Sequence, residues 1–344
     1  MPGYAHGVGP SVLSCSALLF ACGLSSACGG ETKGSDASNG SAGSGASSGG
    51  NGEIAGTAGI AGSVGSGPVP TSDSAQWPMP NSPGLGMPNP ESYDATSIPG
   101  VVHDRVTGLD WLQDPGTELY PRADALMRCS ALSFAGFDDW RVPEFIELVS
   151  LFDVVPNDAD PLAPIYIAPT FKAEGRYWST SAVTSDGLGR LLDFTADGCL
   201  TVTSCSVGVA GKASEALGGA FCVRSSRPPA TSARYQSTGG EVSDLRTGLI
   251  WLTVPSTAQT SGYDDAVSTC ASLGNGARLP SITELLSLVV PILDKKAFPG
   301  WPADAFAWSS SGIFANPGTF WVGAIGGATR ADLSTAHNRV QCVR

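Results

Sequence analysis

The sequence predicts an α+β protein made of two tandem copies of one disulfide-stapled unit behind a disordered N-terminal linker. Three observations predict it. Four short motifs recur once in the same order, cysteines fall at equivalent places in both recurrences, and apolar residues between them follow a helical period.

The recurrence begins with residues 104–112 (DRVTGLDWL) and 244–252 (DLRTGLIWL), which agree at six of nine positions. Residues 141–153 (RVPEFIELVSLFD) and 278–290 (RLPSITELLSLVV) agree at six of thirteen. Trp178-Ser179-Thr180-Ser181 matches Trp308-Ser309-Ser310-Ser311, and Cys222-Val223-Arg224 matches Cys342-Val343-Arg344. Chance does not keep four blocks in order, so the chain carries a duplicated structural unit. Copy one is set at 90–228 and copy two, the shorter, at 232–344, joined by a Pro-containing linker.

Each block has a local physical reading. Asp104, Thr107, Gly108 and Trp111, with Asp244, Thr247, Gly248 and Trp251, spell a tight turn. Its glycine takes positive φ, and the strand that follows buries Leu and Trp. Tyr263, Ala266, Val267, Cys270 and Leu273 share one face of an amphipathic helix, and Leu119, Ala123, Leu126 and Cys129 keep nearly that rhythm in copy one. The second block reads as another helix, with Pro143 and Pro280 in its first turn. Its buried face is Phe145, Leu148, Val149 and Phe152, or Ile282, Leu285, Leu286 and Val289, and Ser281-x-x-Glu284 is a capping box. The remaining Trp-, Ser- and Gly-rich sequence, including Trp178 and Trp308, reads as short strands and long loops. Each copy is therefore two helices followed by a small antiparallel sheet.

Six cysteines follow the targeting segment. The repeat pairs Cys129 with Cys222 and Cys270 with Cys342, tying the first helix to the last strand of each copy. Cys199 and Cys205 form an extra local pair in copy one. Such bridges point to an oxidising compartment. With no CxxC and only His103 and His337 outside the targeting segment, no metal site is expected.

The net charge of −12 with 15% charged residues argues against nucleic acid, whose phosphates require Lys and Arg patches. Residues 1–28 read as a lipoprotein-like signal peptide, apolar over 11–28 and ending in small residues before cysteine. Cys28 is the expected lipidated residue, with Cys22 the alternative. The first ten residues lack the usual positive charge. Residues 29–89 form a Gly/Ser/Pro-rich disordered tether, whose composition cannot bury enough apolar surface to offset ordering entropy. The expected location is the outer membrane or cell surface, with contact to the membrane through the lipid anchor only. Plain secretion or the periplasm is the alternative.

The ordered series resembles the Lcl C-terminal domain family over 90–344: Asp-x-x-Thr-Gly-Leu-x-Trp, a Cys-bearing helix, Arg-x-Pro-x-x-x-Glu-Leu, Trp-Ser-Ser/Thr and a closing Cys-Val-Arg. Copy one keeps Asp139-Trp140 before the arginine, where copy two has Gly276-Ala277. The resemblance implies a fold related to C-type lectin-like domains and a role in attachment, associated in the founding adhesin with sulfated polysaccharides. The acidic charge here does not carry that ligand over, and calcium-dependent sugar triplets are absent.

Two functions follow as expectations. The first is a surface binding or adhesion module for carbohydrate or matrix, with Trp301, Phe320, Trp321, Tyr166 and Tyr177 as candidate contacts and the two copies giving avidity. The second is a structural or protein-interaction role in the envelope. No catalytic residue or cofactor is expected. Glu147 and Glu284 read as caps or partners of Arg141 and Arg278, which are also placed in salt bridges to acids such as Asp104 or Asp244. His103 reads as a turn residue.

Overall fold

The computed structural model of the protein describes residues 77–155, 166–182, 189–195, 209–211, 216–225, 234–254, 260–288, 305–313, 316–324 and 329–344, all within the compact unit Gly67–Arg344. Copy one opens with β1 (Tyr93–Asp94), β2 (Val101–Asp104) and β3 (Asp110–Leu112), then helices α1 (Arg122–Ser130) and α2 (Phe145–Val149). It closes with β4 (Arg176–Ala182), β5 (Gly189–Asp193), β6 (Val209–Gly211) and β7 (Val223–Arg224). Copy two repeats this order with two further short strands, Thr260–Ser261 and Asn338–Arg339. It runs β8 (Tyr235–Thr238), β9 (Glu241–Asp244), β10 (Ile250–Leu252), β11 (Thr260–Ser261), α3 (Tyr263–Ser272), α4 (Ile282–Ser287), β12 (Phe306–Gly312), β13 (Thr319–Ala324), β14 (Thr329–Leu333), β15 (Asn338–Arg339) and β16 (Cys342–Val343).

The described residues thus form a mixed, mostly β fold. In copy one the sheets are β1-β2-β3-β7 and β4-β5-β6; in copy two they are β8-β9-β10-β16 and β11-β15-β12-β13-β14. The correspondence extends to register. Trp111 pairs with Val223 as Trp251 pairs with Val343, and Tyr93 opposes Asp104 as Tyr235 opposes Asp244. The closing strand of each copy returns beside the strand that follows its Thr-Gly turn.

That turn is set by its own side chains. Asp104 Oδ1 accepts from Val106 N and its Oδ2 from the Thr107 hydroxyl, at 2.9 and 2.6 Å. Gly108 and Gly248 both sit at φ 73°, a left-handed conformation that costs a glycine little.

The helices differ in part from their expected faces. Leu119 lies before α1 and is exposed, as are Ala123 and Val267. The buried stripe is Ala125 and Cys129 in α1, and Ala266 and Cys270 in α3. It is narrow because each helix is drawn onto the closing strand by a disulfide, Cys129–Cys222 or Cys270–Cys342, with Cα atoms 5.4 Å apart in both, and small residues fit beneath it. The second helices are shorter and buried on every side: all of Phe145–Val149 and Ile282–Ser287 are inaccessible. Pro143 and Pro280 precede the N-caps Glu144 and Ser281 rather than occupying the first turn. There the carbonyls of Pro143 and Pro280 accept from Thr180 N and Ser310 N, at 2.7 Å each. Val289 lies outside the described residues.

Burial on every side has a physical cause. The largest hydrophobic core is shared: Trp111, Phe145, Leu148, Phe152 and Tyr166 of copy one pack with Trp251, Ile282, Leu285 and Trp321 of copy two. Trp321 meets both Phe152 and Tyr166 edge-on, with centroids 5.9 and 5.7 Å away, and α2 packs on α4. Each copy also keeps a smaller private core under its disulfide, around Trp178 and Trp140 in copy one and around Trp308 and Val322 in copy two. The copies are therefore halves of one body.

The linker expected over 29–89 ends earlier than its composition suggests. Residues 77–89 are a strap laid across both copies. Trp77 and Met79 are buried in the shared core at 2% and 0% exposure. Trp77 N donates to Arg246 O in copy two at 3.0 Å. Ser82 Oγ accepts from Val154 N in copy one at 2.8 Å. Prolines suit such a strap because an extended chain outside the sheets has no ladder for them to break.

Candidate functional site

Within each copy, the repeated arginine and glutamate are bound to each other. Arg141 makes a two-pronged bridge to Glu147, both bonds 2.7 Å, and Arg278 makes the same bridge to Glu284 at 2.7 and 2.8 Å. These glutamates, not Asp104 or Asp244, are the partners: each lies six residues after its arginine and offers one carboxylate oxygen to each terminal guanidinium nitrogen. Burial would lower the Arg141 pKa, but the bond and charge of Glu147 outweigh it and raise it. Each glutamate also caps its helix, accepting from Glu144 N or Ser281 N. Asp104 instead holds its own turn, and Asp244 takes both prongs of Arg234.

The Trp-Ser block is equally committed. Trp178 Nε1 donates to Tyr120 O and Trp308 Nε1 to Ser261 O, at 2.7 and 2.8 Å. Ser179 and Ser309 hydroxyls donate to Arg190 O and Trp321 O, and Ser181 and Ser311 hydroxyls accept from Phe145 N and Ile282 N. Every repeated motif residue is thus part of the scaffold in both copies.

Most aromatic candidates are core. Trp321, Tyr166 and Tyr177 are buried, while Trp301 lies outside the described residues, as do Cys22, Cys28, Cys199 and Cys205. Phe320 is the exception. It stacks on Tyr263 at 3.5 Å with rings 13° apart, and both are half-buried.

Beside this stack lies a polar network. Phe320 is directly opposite Asp332 across β13 and β14, so their side chains share a face. Asp332 Oδ2 accepts from Arg330 Nε and Nη2 and from Asn338 Nδ2, at 3.1, 2.8 and 2.8 Å. Arg330 Nη2 also donates to Asn338 Oδ1, and its guanidinium covers the Phe306 ring at 4.1 Å. Nothing in the sequence brings Arg330, Asp332, Asn338 and Tyr263 together. Only the sheet register does.

Copy one carries a cleft of about 170 Å³ lined by Asp94, Ser97, Ile98, Val101, His103 and Asp110. His103 belongs to β2, not to the turn, and its Nδ1 lies 2.7 Å from Asp110 Oδ1 across β2 and β3. Arg224 joins Asp110 to Asp139. Asp94 accepts from Thr96 and Ser97 backbone and hydroxyl groups and from Arg105, which hold its carboxyl well below the usual range. The carboxylates lining this cleft are therefore already committed to protein donors.

Against known families, the description Lcl C-terminal domain matches residues 100–208 and 240–344. The chain belongs to the Lcl C-terminal domain family. No curated protein matches it. The first Lcl C-terminal domain match ends before Cys222, although the disulfide places Cys222 within the same unit. The two Lcl C-terminal domain copies depart from each other where copy one keeps Trp140. That ring is buried and donates to Phe134 O, whereas copy two has the buried Ala277 there, after Gly276 at φ 76°. With Asp139 lost from copy two, Arg344, the counterpart of Arg224, pairs with Glu241 of β9 at 2.8 Å.

Proposed function

We propose that this protein is an exported surface-binding module whose ligand is a carbohydrate or extracellular matrix component, tethered as a lipoprotein through Cys28, with Cys22 the alternative. The observation that carries this reading is the half-exposed Tyr263–Phe320 stack beside the Arg330–Asp332–Asn338 network. A rigid apolar surface flanked by a few oriented polar groups is the usual composition of a small-ligand site. The Cys129–Cys222 and Cys270–Cys342 disulfides agree with an oxidising, exported location. Among the described residues no helix is long and apolar enough to cross a membrane. We read each copy as C-type lectin-like. The helix-to-closing-strand disulfide and the closing strand beside the post-turn strand support that reading.

The role is binding rather than catalysis on this reading, since the repeated Glu147, Glu284, Arg141 and Arg278 are engaged with one another. A glycan array probed with the full chain, with and without calcium, tests it. Selective retention of glycans, lost on unfolding, is the expected result.

One observation favours a second reading, a protein-interaction role in the envelope. Leu119, Met127 and Leu217 of copy one are exposed at 51%, 61% and 43%. A blank array from folded protein shifts the reading there.

A further inference from the structure

The duplication supplies an internal control. What the fold demands appears in both copies, and what appears in one copy is free to serve a ligand. The sheet registers set the correspondence. Phe320 opposite Gly312 answers to Gly189 opposite Ala182. Asp332 opposite Phe320 answers to Gly211 opposite Gly189, and Arg330 opposite Val322 to Val209 opposite Leu191. Asn338 opposite Ser261 answers to Gly218 opposite Tyr120, and Tyr263, first in α3, to Arg122, first in α1.

Copy one therefore has Arg, Gly, Val, Gly and Gly where copy two has Tyr263, Phe320, Arg330, Asp332 and Asn338. In copy one the Arg122 stem lies against Gly189, with its Cδ 2.4 Å from where a Cβ would stand, so an aromatic ring has no room there. Copy two builds a ring stack and a polar network that the same fold does without.

We propose that this face of copy two is a carbohydrate subsite for an uncharged pyranose ring, and that copy one has no counterpart. The proposal rests on the surface-binding reading above and names its ligand class and place. The Tyr263–Phe320 stack offers an electron-rich surface to the C–H face of a sugar. Asp332 Oδ2 already takes three donors, while Oδ1 accepts from none of the described residues and is open to a sugar hydroxyl. Arg330 and Asp332 neutralise each other. An anionic sugar would have to draw Arg330 from Asp332, Asn338 and the Phe306 ring, whereas a neutral one leaves the network intact. Val267, exposed at 42% and one helical turn from Tyr263, extends the apolar rim.

The test measures binding of the full chain to immobilised dextran, mannan, galactan, chitohexaose and heparin. It compares wild type with the double variant Tyr263→Arg, Phe320→Gly, which places at each position the residue copy one carries. The expected result is binding to at least one neutral glycan, weakened roughly tenfold or more in the double variant, and retained by Phe320→Trp. Asp332→Asn, which leaves the stack intact, is expected to weaken binding as well and serves if the double variant does not fold. Equal binding by wild type and folded variants overturns the subsite and leaves the surface-binding reading standing. Binding to heparin alone overturns the ligand class. A blank from folded wild type overturns both.

Discussion

The Arg–Glu bridges and a group of buried acids pull stability in different directions. Glu284 is inaccessible and Glu147 nearly so, each serving two prongs of an arginine and a helix-capping amide. Breaking one partner strands the other charge, so Glu284→Gln or Arg141→Ala is expected to cost about 3 kcal/mol, read from urea unfolding. An unchanged midpoint would mean that the pair is offset by its own desolvation. Glu91 belongs to a different regime. Burial raises its pKa well above 4.5, and the nearby Asp153 and Asp104, themselves raised chiefly by burial, push the same way. A carboxyl whose folded pKa is raised contributes stability that is full below its ordinary value and lost as pH rises through the raised one. Unfolding free energy should therefore climb as pH falls from neutral towards 5, and Glu91→Gln should flatten that slope. A wild-type slope of opposite sign in that window would contradict the assignment. Asp94, lowered by its hydrogen bonds to Thr96, Ser97 and Arg105, acts only in strong acid.

Among elements, the strap over 77–89 departs most from what its sequence conveys. Its Pro- and Gly-rich composition reads as linker, and no periodicity marks Trp77 or Met79, because an extended segment leaning on a core needs none. Trp77→Ala should cost about 3 kcal/mol by leaving a cavity between the copies, seen as a lowered melting temperature. A neutral result would make the strap an ornament of the surface. Other elements were legible because their cause is local. The Thr-Gly turn, the Ser281–Glu284 box and the pairing of Cys129 and Cys270 with the closing cysteines each depend on a few residues and one geometric need. The partner of Arg141 was ambiguous because aspartates and glutamates both recur, and only a two-pronged bridge in space separates them. Helices α2 and α4 showed one apolar face in sequence and are buried on all sides, because the second surface belongs to the other copy. The candidate site was the least legible. Phe320 could be named, but Tyr263, Arg330, Asp332 and Asn338 come together through sheet register alone.

For the whole molecule, duplication implies two domains by length and motif, yet the core contradicts independence. Trp321 is inaccessible because Phe152 and Tyr166 lie against it, and the Thr283 hydroxyl donates to Phe152 O across the seam. Arg246 of copy two reaches Glu144 of copy one. Separating the copies would expose Trp321, Ile282 and Leu285 together, at roughly 1.5–3 kcal/mol for each such side chain. A lone copy has little to offset this beyond its disulfide, worth about 4 kcal/mol, and its private core. The full chain is therefore expected to unfold in one cooperative transition, with tryptophan fluorescence and far-ultraviolet circular dichroism changing together along a urea series. Residues 232–344 alone are expected to exchange amides freely in β13 and α4 even with Cys270–Cys342 closed. Two resolved transitions, or a lone copy that protects those amides, would mean that the shared core is a docking contact between self-sufficient domains. In that case binding by copy two would be independent of copy one. If a single transition is found, copy one supports the binding face by holding Trp321, whose carbonyl anchors Ser309 one residue from Phe320. A destabilising change such as Phe152→Ala should then weaken glycan binding from across the seam.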